Sequence, residues 1–290
     1  MTCVWTAKRI YSDFVLLQGR GDTGILETVY RPAANGVKLV GEAIYVESVD
    51  PSNMTVTTPS CAAHLAGTAC KSQEALTKWL PAIKQCFDDC QWESVQNDAS
   101  MMMWAQGMTV AALNTLMPLI FADMIANGTR IFSDATPTNA QLATAVGNAI
   151  LAIAAQGGGP GGIVLDWTTA FGTIAGFGAI FQPATLVTLD YTYGPGRPVG
   201  TIMGYPVFVT GTDLNDISPS PDEEVDAIIW AKMGYAYASS GTGVGFRIST
   251  QDIDGTNSIV LSGCIGYGIL GIANGMTDSP LVYFIARADS

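Results

Sequence analysis

Charge is scarce in this chain. Only 13% of its 290 residues are Asp, Glu, Lys or Arg, about half of the usual ~25% for soluble domains. Hydrophobic residues make up 48%, and the mean hydropathy is +0.29. That balance excludes intrinsic disorder, which needs low hydrophobicity and high charge. It also predicts a surface largely covered by partners, because a lone chain of this size spreads more charge over its exterior. Cations are the scarcer sign. Lys and Arg number 13 against 25 Asp and Glu, giving a net charge of -12 and a pI near 4.3. Such a chain is poorly suited to gripping nucleic-acid phosphates, since that affinity scales with the phosphates neutralised by Lys and Arg.

Histidine is nearly absent: His64 is the one imidazole. Ser60 and Cys61 stand too close to it in sequence to imply a triad, and no G-x-S-x-G occurs. No G-x-x-x-x-G-K-[ST] occurs either. The run GGGPGG at 157–162 follows a predicted helix and precedes a predicted strand. A dinucleotide fingerprint needs the reverse order, so that phosphate meets a helix N-terminus. Asp88-Asp89 and Asp222-Glu223-Glu224 read as solvated charge rather than acid–base pairs. No catalytic, cofactor-binding or metal-binding residue is therefore assigned, and the chain is read as a non-enzyme with no cofactor. A carboxylate-dependent hydrolase is the alternative of a different class.

The opening MTCVWTAKRIYSDF lacks a continuous apolar core and a small-residue cleavage site, so synthesis in a cytoplasm is expected. The most apolar window, 108–126, contains Asn114, Pro118 and Asp123. Insertion scales put an Asp at a bilayer centre at ~3 kcal/mol unfavourable, so the window is read as a buried helix and no membrane partner is expected. Six cysteines are present: Cys3, Cys61, Cys70, Cys86, Cys90 and Cys264. Four lie between positions 61 and 90 with His64 among them, but their spacing suits a zinc knuckle poorly. Free buried thiols are the expected state in a cytoplasm, a disulfide or a metal site being the alternatives.

Along the chain, residues 1–24 read as an extended arm and 27–58 as a β-hairpin, with its tip at Asn35-Gly36 and a further strand at 54–58. Leu76, Trp79, Leu80, Ile83 and Phe87 recur at helical spacing and predict a helix over 72–92, with Pro81 kinking it or marking its start. A longer helix is predicted from 97 or 98 to 126, ending at Asn127-Gly128 and bent at Pro118. A capping box, Thr138-x-x-Gln141, opens a third helix whose stripe is Leu142, Val146, Ala149, Ile150 and Ile153. A short strand at 163–165 and a glycine-weakened helix at 168–180 follow. Strands are predicted at 185–191, 201–209, 227–238, 245–249, 258–266 and 281–286, with a solvated loop at 211–224. No repeat of 20–50 residues is apparent.

Four stretches, in this order, resemble the major capsid proteins of tailed bacteriophages, a fold shared with encapsulin shells. They are NGTRIFSDATPTNAQLATAVGNAI (127–150), GPGGIVLDWTTAFGTIAG (159–176), GTIMGYPVFVTGTDL (200–214) and AIIWAKMGYAYASSGTGVGFRIST (227–250). The Cys-rich stretch 60–93 matches no motif of that family. The resemblance implies an α+β fold of four parts: an N-terminal arm (1–24), an extended β-hairpin loop (25–60), a peripheral domain with a long spine helix (61–132, completed by 251–290) and an axial domain (133–250). It implies a virion protein that self-assembles with many copies of itself, in hexamers and pentamers, into an icosahedral shell. The shell would enclose double-stranded DNA without sequence-specific binding, with portal, scaffold and cement proteins as further partners. An encapsulin-like shell holding enzyme cargo is the alternative within the same fold. Some relatives cross-link their shells through a Lys–Asn bond. Lys38 lies near the expected hairpin tip, but no role is assigned to it.

The composition fits that reading separately, as it would fit any obligate oligomer. A hairpin without a core of its own needs a neighbour to pack on, sparse charge suits large contacts, and an acidic shell repels packaged DNA and leaves it mobile.

Overall fold

A computed structural model describes residues 10–11, 23–31, 37–40, 43–49, 71–96, 98–183, 198–218, 224–239, 246–253, 256–270 and 279–287. In chain order the strands are β1 (Ile10–Tyr11), β2 (Val37–Val40), β3 (Ala43–Val49), β4 (Lys71–Trp79), β5 (Ala82–Phe87), β6 (Gly128–Ser133), β7 (Pro160–Asp166), β8 (Phe181–Pro183), β9 (Gly200–Ile202), β10 (Tyr205–Thr210), β11 (Val225–Ala231), β12 (Tyr235–Ser239), β13 (Phe246–Ile253), β14 (Thr256–Gly263), β15 (Ile265–Ile269) and β16 (Ser279–Arg287). The helices are α1 (Asp89–Val95), α2 (Asp98–Asn127), α3 (Asn139–Ala155) and α4 (Ala170–Phe177), with short 3-10 helices over Thr23–Glu27 and Gly178–Ile180.

A seven-stranded mixed sheet in the order β6-β16-β11-β7-β10-β9-β8 organises the chain. Successive side chains on its strands point to opposite faces, so each face carries its own apolar rows. Phe208, Val164, Ile228 and Phe284 are register neighbours on one face; Val207, Ile163, Ile229 and Tyr283 are neighbours on the other. The first row packs into a core with the spine helix α2, the second into a core with α3 and α4. Strands β7 and β11 are thus covered on both faces, which is why they read as unbroken apolar runs rather than alternating ones.

Helix α2 has 30 residues, about 45 Å at 1.5 Å per residue. It runs where the sequence predicts, with Pro118 inside it and its end at Asn127. Met101, Met108, Met117 and Met124 are buried on its inner face with Leu113, Leu116, Ile120 and Phe121. This is core packing, each large side chain contributing ~1.5–3 kcal/mol by leaving water. Among the described residues α2 is the one helix long and apolar enough to cross a membrane. Its C-terminal end is fastened to β12: the Tyr235 hydroxyl donates to Asp123 Oδ2 at 2.9 Å, and Asn127 Nδ2 donates to Asp123 Oδ1 at 3.0 Å. Burial pushes the Asp123 carboxyl above its ordinary value, and these two hydrogen bonds pull it back only in part.

The capping box of α3 is formed as expected. Gln141 N donates to Thr138 Oγ1, and Thr138 N donates to Gln141 Oε1 at 2.8 Å. Leu142, Val146, Ala149, Ile150 and Ile153 are all buried, under the sheet that holds Val207 and Val209.

Several expectations are corrected. The segment 72–92 is not one helix. It forms β4, β5 and then α1, with Pro81 between the strands. Proline costs a helix interior ~3 kcal/mol or more and cannot donate to a ladder, and here it marks a corner between two sheets. β4 joins the five-stranded sheet β12-β15-β4-β3-β2, while β5 joins the four-stranded sheet β1-β13-β14-β5. Their partners β15 and β14 turn the same corner at Cys264, where Gly263 N donates to Pro81 O at 3.2 Å. Cys86 lies on a strand and Cys90 on a helix, so the two are not stacked on one helical face.

The start of the expected hairpin also differs. Ile25, Leu26 and Val29 are buried in the main core, and Tyr30 bridges to β12 through backbone bonds with Tyr235 and Tyr237. Among the described residues the hairpin pairing is β2 with β3, Val40 standing opposite Ala43. Asn35-Gly36 and 54–58 lie outside the described residues. β3 pairs with β4, and Ile44 is buried with Leu76, Ala236, Ala238 and Leu270 of the same chain. At least that part of the hairpin has an intramolecular core.

The stretch 201–209 is two strands joined at Met203-Gly204, whose φ values of 50° and 84° are those of a tight hairpin turn. The stretch 227–238 is also two strands, β11 and β12, in different sheets. The stretch 258–266 divides at Cys264 into β14 and β15, likewise in different sheets. The expected strand 185–191 lies outside the described residues.

Candidate assembly surface

The outer layer of α3 and α4 is built by two glycines. Gly172 and Gly176 are four residues apart, so both face the same side of α4. A Cβ on Gly172 would stand 2.4 Å from Asn139 Oδ1, and one on Gly176 would stand 2.2 Å from the Asn139 carbonyl oxygen. These glycines, which lower helix propensity, are what let α4 lie against the first turn of α3. Ala170, Thr173 and Phe177 point into the core beneath.

This leaves the remaining side of α4 outward. Phe171 is 86% exposed and Trp167, at the turn before the helix, 57%. Ala175 is exposed on the same side, and Ile180 follows in the 3-10 turn. No Asp, Glu, Lys, Arg or His occurs from 167 to 181. A helix apolar on every side is normally covered. At the other edge of the seven-stranded sheet, β6 exposes Phe132, with the Arg130 guanidinium 5.2 Å from its ring centre and 5.7 Å from that of Phe284. The outer ridge of α2 carries a third uncharged surface: Met103, Gly107, Ala111, Thr115 and Leu119 are exposed.

A polar cluster closes one end of the sheet. Asp166 is buried and accepts from Thr168 N at 2.9 Å, from the Thr168 hydroxyl and from Leu214 N at 3.4 Å. Arg287 donates from Nη2 to Asp226 Oδ1 at 2.9 Å and from Nε to Asp226 Oδ2 at 3.1 Å, and it also pairs with Glu224. Burial raises the Asp226 carboxyl above its ordinary value despite the arginine, and the hydrogen bonds to Asp226 raise Arg287. The paired geometry locks the ends of β11 and β16 together. The segment 211–224 is therefore not simply a solvated loop: Leu214 is fully buried, and Asn215 Oδ1 accepts from Val225 N at 2.6 Å.

The weighed chemical candidates do not converge. Asp88 caps α1 by accepting from Gln91 N at 2.7 Å, and Asp89 begins that helix. Glu224 pairs with Arg287, whereas Asp222 and Glu223 lie outside the described residues, as do His64, Ser60, Cys3, Cys61 and Cys70. Cys86 and Cys264 are free thiols but not buried as expected: Cys86 is exposed on β5 and Cys264 half-buried at the sheet corner. Lys38 sits on β2 opposite Tyr45. No group of three or more His, Cys, Asp or Glu suited to a metal occurs among the described residues. The exposed Trp167 and Phe171 were not singled out from sequence, although the uncharged run 167–181 was there to be read.

No family model matches the sequence, and no curated protein matches it. Solved structures do match the fold over nearly its whole length. The capsid structure of the cyanophage P-SCSP1u is 13% identical with a TM-score of 0.55, over 100% of this chain and 91% of that one. A structure from Gordonia phage Cozz is 9% identical with a TM-score of 0.56, again over 100% and 91%. One from Mycobacterium phage Che8 is 12% identical with a TM-score of 0.51, over 98% and 93%. The chain thus has the α+β phage-capsid fold that its sequence resembles.

Proposed function

We propose that the protein is the major capsid protein of a tailed bacteriophage, a structural and non-enzymatic subunit of the virion. Many copies assemble into an icosahedral head that encloses double-stranded DNA. The observation that carries this reading is the end-to-end likeness to the cyanophage capsid structure, which leaves no substantial part of the chain for another fold. Exposed apolar surface at Phe171, Trp167 and Phe132 on a chain with 13% charged residues supports it, because such surface is normally covered by partners.

In this reading residues 1–24 are the arm, 25–60 the extended loop, 61–132 with 251–290 the peripheral part around α2, and 133–250 the axial part. The seven-stranded sheet runs through the last two. The net charge of -12 keeps packaged DNA from adhering to the shell wall. Portal, scaffold and cement proteins are the expected accessory partners, and the host cytoplasm is the expected site of synthesis.

Analytical ultracentrifugation of the purified chain tests the reading. Closed shells or capsomers heavier than a tetramer are expected. A species that remains a monomer or dimer at all concentrations would refute it. Shells that purify with a protein cargo would assign the chain to an encapsulin-like compartment instead.

A further inference from the structure

The uncharged face of α4 has a direction. Gly172 and Gly176 turn one side of the helix to α3, and Ala170, Thr173 and Phe177 turn another to the sheet. Phe171 and Ala175 point away from both. Helix α3 lies over β6, β16 and β11, whereas α4 runs through Gly178–Ile180 directly into β8, the opposite edge strand. Two exposed apolar surfaces therefore sit towards opposite edges of the sheet and on its opposite faces: Trp167, Phe171 and Ala175 with the α3–α4 layer that leads to β8, and Phe132 with Arg130 at the β6 edge on the α2 side, where Arg130 is in register with Phe284.

Resting on the shell-protein reading, we infer that the Trp167–Phe171–Ala175 face is the seat for a second copy of this chain, which meets it with its β6 edge. A second copy fits as the occupant because the face avoids the charge that would otherwise repel it. Two chains of net charge -12 repel one another, and the repulsion is least where a 15-residue run carries no charge. The β6 edge brings the complementary chemistry, an exposed ring and a guanidinium, and Trp is the best aromatic partner for such a cation. Both flanks are open edges of the same sheet among the described residues, and an unpaired edge is a template for another chain. Different patches meeting head to tail also close into a ring when the rotation allows, whereas a patch meeting itself stops at a dimer.

The test uses the full chain and sedimentation velocity. Phe171→Glu and Phe132→Glu are each expected to abolish assembly while the isolated chain melts close to wild type, because both side chains are already exposed. If Phe171→Glu does not fold, Phe171→Ser serves in its place. Combining Phe171→Glu with Phe132→Lys is expected to restore assembly, a rescue that general surface damage does not give. Met233→Glu, on another exposed site, is expected to assemble normally.

Wild-type shells together with assembling Phe171→Glu shells would overturn this contact and leave the shell reading intact. Small wild-type rings that never close, but are dissolved by Phe171→Glu, would overturn the shell reading and support the contact. A disruptive Phe171→Glu without rescue by Phe132→Lys would overturn the assignment of the β6 edge.

Discussion

Alanine at Gly176 and at Gly147 should move stability in opposite directions, although helix propensity predicts the same gain for both. Each glycine lies inside a helix, where Gly→Ala is worth roughly 1 kcal/mol. At Gly147 in α3 a new Cβ meets nothing within 4 Å, so the gain should appear as about 0.5–1 kcal/mol. At Gly176 the Cβ would lie 2.2 Å from the Asn139 carbonyl oxygen and 2.6 Å from its carbon. Those are backbone atoms at the start of α3, so relief requires the helices to part. Overpacking costs up to about 3 kcal/mol; subtracting the helix gain leaves a net loss of about 2 kcal/mol. The two variants should thus differ by about 3 kcal/mol, or roughly 6 °C in Tm for a chain of this length. Calorimetry below the assembly concentration is the assay, since assembly itself raises apparent stability by mass action. Two variants stabilised alike would show that α4 does not lie against α3 as described.

Other consequences can be read in the same unassembled chain. Ile150 is 3% exposed between α3 and the sheet, so Ile150→Ala should cost ~2–5 kcal/mol; an unchanged urea midpoint would contradict that packing. Thr138→Ala removes the α3 cap and should cost about 1 kcal/mol, again read by urea unfolding. Asp123 has its folded value raised, chiefly by burial, so its protonated form is favoured on folding. Its stabilising contribution is present below the unfolded carboxylate value of about 4 and is lost as pH rises through the higher folded value. Asp123→Asn, which cannot ionise, should therefore gain stability relative to wild type between about pH 4 and 7. A wild type that gains on the variant over that range would mean that the Tyr235 and Asn127 hydrogen bonds outweigh burial.

What could be read from sequence follows the range of the interactions. Helix α3 is legible because its signals are local: a capping box at Thr138 and Gln141, then an apolar stripe at helical spacing. The 30-residue α2 is legible because its apolar run ends at Asn127-Gly128. The segment 72–92 is not, because its structure depends on β14 and β15, some 180 residues away, and Leu76, Ile83 and Phe87 fit a helical period as well as a strand. Pro81 was the one local warning, and it marks the corner between two sheets. The turn at Met203-Gly204 was hidden because methionine seldom adopts positive φ, so 201–209 reads as one strand. The proposed assembly face was partly visible: a run without charge from 167 to 181 with glycines four apart. Sequence interprets those glycines as helix weakness, whereas the structure uses them to seat α4 on α3 and turn Phe171 outward.

The central claim is that many copies of this chain build a closed icosahedral shell. Cryo-electron microscopy of the sedimented assemblies tests it most directly. The account predicts closed particles in which copies ring five-fold and six-fold positions, each with the seven-stranded sheet and the α2 spine described above. Particles without icosahedral order, or a discrete small oligomer as the largest species, would contradict it.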